Sequence, residues 1–211
     1  MTVPTERRER PMRTIFRLIG GSLSLSVVLA SGPAAAGPLD APGAAKALAC
    51  SACHGLGGQS PSNTMPVIAG IAPWYFKKAI EDYAAGRRPS PEMEPYAKYV
   101  LEAGVDDLAS YFASQPRQPT AVRVDAGAVE RGRVASQQCV VCHVESGKGD
   151  PAKGIPDLRG QPPGYLANQM LLFKADRRSP GDATLKALKE LMKSIPDDQI
   201  ADLAAYYSSL R

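Results

Sequence analysis

Histidine occurs twice in 211 residues and cysteine four times. All six lie in two pentapeptides, Cys50-Ser51-Ala52-Cys53-His54 and Cys139-Val140-Val141-Cys142-His143. Once these are used, no cysteine is left for a structural disulfide and no histidine for an acid–base pair or a Ser-His-Asp arrangement. Long apolar runs are also missing. The N-terminal stretch from Leu18 to Ala30 falls short of the ~20 residues that span a bilayer, so no stable membrane anchor is expected. The net charge is only +4, and Arg7, Arg8, Arg10, Arg13 and Arg17 crowd the N-terminus. A basic nucleic-acid-binding surface is therefore excluded.

The two pentapeptides have the form C-x-x-C-H, the attachment signature of c-type haem. The thiols add across the haem vinyl groups, and the histidine beside them gives its imidazole to the iron. Zinc sites and thiol redox pairs also use C-x-x-C. Two copies, each followed directly by histidine, favour haem. Cys50, Cys53, Cys139 and Cys142 are thus the expected attachment residues for two covalently bound haem c groups, and His54 and His143 the proximal iron ligands.

The N-terminal arginines, the apolar stretch and Ala34-Ala35-Ala36 form a positive region, an apolar core and an A-x-A cleavage site. Residues 1–36 are expected to be a cleaved signal peptide, which makes the mature protein periplasmic. Two covalent haems would take over the stapling role that disulfides fill in many small exported domains.

The motifs lie 89 residues apart, and the similarity continues past them. Pro66-Val67-Ile68-Ala69-Gly70 matches Pro156-Asp157-Leu158-Arg159-Gly160 at an offset of 90, as do Tyr75, Tyr83, Arg87 and Arg88 with Tyr165, Phe173, Arg177 and Arg178. Asp107 to Phe112 matches Asp202 to Tyr207 at an offset of 95. A period held through three blocks marks a repeated structural unit. Each unit reads as helices: one ending in the haem motif (Ala128 to His143 in the second), an amphipathic segment (Tyr75 to Ala85, Tyr165 to Ala175), and a last helix with apolar residues at helical spacing. No strand is expected. Pro116-Arg117-Gln118-Pro119-Thr120 punctuates the chain like a linker, which divides it into domains at 37–118 and 119–211. The expected fold is all-α, with two tandem class I cytochrome c domains each wrapped round one haem.

Such a haem needs a sixth ligand, and both histidines are already used. Methionine suits outer-sphere electron transfer because His/Met ligation raises the reduction potential. Met65 follows His54 too closely, and Met170 stands opposite Ile80 in the repeat, an apolar position in both halves. Met93 follows the loop Arg88-Pro89-Ser90-Pro91-Glu92 and is the expected ligand of the first haem. Met192 is the expected ligand of the second, although its offset of 99 from Met93 exceeds that of the flanking blocks and Leu185 and Leu188 fill the window between. A five-coordinate or lysine-bound second haem stays open.

The run Cys139-x-x-Cys142-His143, Pro156-x-Leu158-x-Gly160-Gln161, Tyr165-Leu166-x-x-Gln169, Phe173-x-x-x-Arg177 and Asp202 to Tyr207 resembles the cytochrome c4 family, two-domain periplasmic cytochromes c. The haem subunit of flavocytochrome c sulfide dehydrogenase is similar in design. The resemblance implies that Pro66 and Pro156 lie over the proximal imidazoles and that Tyr75 and Tyr165 pack near the haems or between domains. The chain departs from the pattern at its displaced second methionine and at Ile71-Ala72-Pro73-Trp74, where Gly-Gln-x-x is expected. The implied function is electron transfer between redox proteins, such as a quinol-oxidising complex, a terminal oxidase or a dehydrogenase. Two alternatives stand beside the free carrier: a dehydrogenase subunit, and a haem enzyme with an open second site. The repeated Arg87-Arg88 and Arg177-Arg178 are candidates to pair with haem propionates. The basic run Lys174, Arg177, Arg178, Lys186, Lys189 and Lys193 reads as a solvated helix face.

Overall fold

Proline opens the two central helices, and a glycine sits where the first and last helices of each repeat meet. The structure, a computed structural model, describes residues 40–179 and 183–211, with side chains from 186 onward in the second segment. The expected leader, residues 1–36, lies outside the described residues. The helices are α1 (Ala44–His54), α2 (Pro73–Ala84), α3 (Met93–Ala103), α4 (Val105–Ser114), α5 (Ala126–Ala135), α6 (Val140–His143), α7 (Pro163–Lys174), α8 (Ala183–Ser194) and α9 (Asp197–Ser209). Among the described residues there is no strand, only an isolated bridge between Asp150 and Ile155. No helix among them is long and apolar enough to cross a membrane.

Pro73 and Pro163 sit at the first turns of α2 and α7, where the missing N–H costs nothing and the fixed φ favours the helix. Phe76, Ile80 and Tyr83 recur at helical spacing and turn one buried face of α2 inward. In α7 the matching face carries Leu166 and Phe173. Leu108, Ala109 and Phe112 of α4, and Ile200, Leu203, Ala204 and Tyr207 of α9, complete two separate apolar clusters, one per repeat. Acidic first turns (Asp106 and Asp107; Asp197 and Asp198) complement the positive helix ends.

Two features depart from the sequence reading. The expected continuous helix from Ala128 to His143 is broken into α5, a 3₁₀ turn at Ser136–Gln138 and α6. The Ser136 hydroxyl bonds back to the Arg133 carbonyl at 2.8 Å, and the Cys139 N–H reaches only to Ser136 O at 2.7 Å, so side-chain competition tightens the last turn. The second is α3, a helix in the interval that the sequence reading left between the amphipathic segment and the last helix.

The first and last helices of each repeat cross at a glycine. A β-carbon at Gly43 would overlap the Asp107 carbonyl, and one at Gly132 would overlap that of Asp202. Gly43 and Gly132 are related by the offset of 89, and Asp107 and Asp202 by 95, so the crossing is repeated. Lys46–Asp107 and Arg131–Asp202, each at 2.8 Å, brace the two crossings. Gly132→Ala should force α5 and α9 apart and cost roughly 1–3 kcal/mol of stability. Urea denaturation of the variant with its haem content intact measures this; an unchanged midpoint would show that the crossing is not close-packed.

Candidate haem-attachment sites

In the first repeat α1 stops at His54, because Gly55 follows at φ +75 and turns the chain off the helix. The returning loop is anchored where Gly58 O accepts the N–H groups of Ile68 (2.8 Å) and Ala69 (3.1 Å). That anchor carries Pro66 back over the imidazole. His54 Nδ1 lies 2.9 Å from Pro66 O and donates to it when protonated there, leaving Nε2 as the free nitrogen. The ring is buried, and burial pushes its pKa below the ordinary value, against a smaller opposite pull from the Pro66 carbonyl. A neutral imidazole with a free Nε2 is the form that binds iron.

The second repeat rebuilds this. Gly147 O accepts the Leu158 N–H at 2.9 Å, and His143 Nδ1 lies 3.3 Å from Pro156 O. Burial likewise lowers the His143 pKa. Cys50 and Cys139 are half-buried and Cys53 and Cys142 exposed, and none of the four is in a disulfide. Burial raises the pKa of Cys50 and of Cys139. Among the described residues no group of three or more His, Cys, Asp or Glu side chains is placed to hold a metal ion. The motifs therefore lack the extra ligands that a closed zinc site requires.

A cavity of about 430 Å³ lies at the first motif, lined by Cys50, Cys53, His54 and Met93 together with Tyr165 and Gln169 of the other repeat. Met65, set aside on spacing, also lines it. Met93 is half-buried against the first cluster. Met170 is half-buried against the second cluster, and Met192, 3% exposed, is a full member of it.

The repeats meet through a polar interface. Arg88, 2% exposed, donates to the Tyr165 hydroxyl and to Gln169 Oε1 (2.9 Å). Arg178, 9% exposed, donates to the same Gln169 oxygen (2.7 Å) and reaches the Tyr75 hydroxyl at 3.5 Å. These hydrogen-bond acceptors are all neutral. Burial alone would raise the Tyr75 pKa, but the two guanidinium charges outweigh it and bring it down to about 8. Two buried cations held by neutral acceptors fit a site that receives carboxylates, as a haem's propionates would supply. Arg87, by contrast, pairs with Asp82 at 2.8 Å. Half of the basic run is paired with acids: Lys174 with Asp197, Lys189 with Asp176 and Lys193 with Glu190.

Spacing did not reveal the contacts that join the repeats. Gln161 clasps the Val67 backbone, accepting its N–H (3.0 Å) and donating to its carbonyl (2.7 Å). Asn63 accepts from the Gly164 and Tyr165 N–H groups, each at 2.9 Å. Both residues lie in loops, where no period marks a partner.

Residues 129–211 match the family model described as cytochrome c. Cytochrome c4 from Pseudomonas aeruginosa is 32% identical over 188 residues, which cover 86% of this chain and 90% of that protein. The chain belongs to the cytochrome c4 family. The crystal structure of reduced cytochrome c4 from Pseudomonas stutzeri superposes with a TM-score of 0.73 at 26% identity, over 84% of this chain and all of that one. A protein of Stutzerimonas stutzeri named thiosulfate dehydrogenase electron acceptor is 27% identical over 175 residues, 78% of this chain and 80% of that protein. As a cytochrome c4 the chain is an electron-carrying c-type cytochrome with covalently bound haem c and the class I cytochrome c fold.

Replacing Gln161 with Met should orphan the buried Val67 N–H and carbonyl and cost about 1–3 kcal/mol. Thermal unfolding of a variant with full haem content reads this directly. An unshifted transition would mean that the clasp does not hold the repeats together.

Proposed function

We propose that each repeat is a domain, 37–118 and 119–211, that attaches one haem c, and that the pair carries electrons between redox proteins in the periplasm. The observation behind this reading is the repeated imidazole-to-proline-carbonyl contact, which in both halves orients one nitrogen of a motif histidine and leaves the other free. Cys50 and Cys53 hold the first haem with His54 and Met93 as its ligands. Cys139, Cys142 and His143 do the same on the proximal side of the second.

Haem c supplies a one-electron iron couple at each site. The chain's own part is positional and electrostatic. Pro66 and Pro156 fix the imidazole tautomer, the apolar clusters keep water from the iron, and Arg88 and Arg178 neutralise carboxylates between the domains. Because Tyr165 and Gln169 of one half line the cavity of the other, the second repeat forms part of the first site's wall. That arrangement suits electron exchange within the chain.

A second reading is a docked subunit of a dehydrogenase, supported by the relative named as a thiosulfate dehydrogenase electron acceptor. Its redox partner would then be an oxidising enzyme that feeds electrons to the chain.

The test is haem counting. Whole-protein mass spectrometry should find two covalent haems in the wild type and one in the Cys50→Ala, Cys53→Ala double variant. Two haems in that variant would refute the first attachment site. Exported protein should begin near Gly37, as N-terminal sequencing would read; retention of residues 18–30 in membranes would instead mean a tethered cytochrome.

A further inference from the structure

The two domains differ where the sixth ligand should be. Met93 faces the first cavity with Tyr96 and Val100, and Phe76, Ile80 and Tyr83 close it from α2. The repeat maps each of these onto the second domain. The offset of 90 carries Phe76, Ile80 and Tyr83 to Leu166, Met170 and Phe173. The offset of 95 carries Tyr96 and Val100 to Leu191 and Ile195.

Burial supports the second register. Leu108, Ala109 and Phe112 pair with Leu203, Ala204 and Tyr207, all buried, and the match extends back through Val100 (5%) and Ile195 (2%). In this register Met93 corresponds to Leu188, and both are half-buried against their cluster. Met192 corresponds to Ala97, and both are buried cluster members, 3% and 0% exposed. Measured instead from the arginine pairs, Met93 corresponds to Ala183. Residues 183–188 read Ala-Thr-Leu-Lys-Ala-Leu, with no thioether anywhere between the two registers. Lys186, the one amine among them, is exposed.

We infer that the second domain supplies no sixth ligand and leaves the distal iron position to a small neutral ligand such as carbon monoxide or nitric oxide. The inference rests on the two-haem reading above. Of the mapped lining, Leu166, Met170, Phe173, Leu188, Leu191 and Ile195 offer no N–H or O–H donor, while Tyr165, Gln169 and Arg178, mapped from Tyr75, Ala79 and Arg88, are hydrogen-bonded at the interface between the repeats. Polarity and donors on the distal side decide which ligands bind, so this wall favours a neutral diatomic on ferrous iron over an anion. Met192 then fills the core, as methionine commonly does. The domains also become unequal in potential. Met93 raises that of the first, so electrons move from the second domain to the first.

The experiment titrates the full dithionite-reduced protein with carbon monoxide by optical spectroscopy, beside a haem count on the same sample. The expected result is two haems and one carbon monoxide bound per chain. Leu188→Met should restore a thioether at the register of Met93, abolish that binding and raise the lower of the two potentials. Met192→Leu should leave two haems and one bound carbon monoxide. Wild type with two haems and no binding would overturn the inference. So would a ferric second haem that is low-spin in the wild type and becomes high-spin in Met192→Leu, Met170→Leu or Lys186→Ala. A count of one haem would instead overturn the two-haem reading, and the parallel measurement separates the two failures.

Discussion

Burying two guanidinium groups between the repeats is the constraint on which the rest of the molecule turns. Moving such a charge out of water costs several kcal/mol unless partners replace its hydration. Here Arg88 and Arg178 converge on one amide oxygen, that of Gln169, and on two tyrosine hydroxyls. Tyr83 and Phe173 present their ring faces to them at 4.6 and 4.4 Å. Neutral dipoles and aromatic faces soften the cost without cancelling the charge. The proposed haem propionates would complete the balance, so that haem attachment and domain docking become one thermodynamic event rather than two.

The same economy governs each repeat. The buried clusters are small, and a glycine at each crossing lets the first and last helices touch backbone to backbone. A chain built this way has little apolar surface to spare. In the proposed holoprotein a large flat group held by two thioethers and an imidazole supplies much of the missing interior. The loop that returns to the imidazole is positioned by backbone bonds to Gly58 and Gly147, so the proximal side is set before any distal group is considered.

Duplication leaves one copy free to change. The interface already shows it: Gln161 and Gln169 of the second repeat correspond to Ile71 and Ala79 in the first, so these two polar side chains have no counterpart there. The distal position would be a second such divergence, with Met93 in one copy and Leu188 in the other. An asymmetric pair gives direction to electron flow, which two equal sites could not.

Local chemistry was legible in the chain itself. The all-α class, the proline-led helices α2 and α7 and the last helices α4 and α9 follow from propensity and period, which act over a few residues. The attachment pattern was readable for the same reason, because two thiols and an imidazole within five residues need no distant partner. The break between α5 and α6 escaped, since a single serine hydroxyl decided it against an otherwise helical run. Only the tertiary structure brought Arg88 to Tyr165, Gln161 to Val67 and Asn63 to α7. It alone placed Met192 in a packed cluster, at the position that Ala97 holds in the first repeat. Residues so far apart in the chain meet through folding, and no periodicity records which apolar side chain turns toward a cavity and which toward the core.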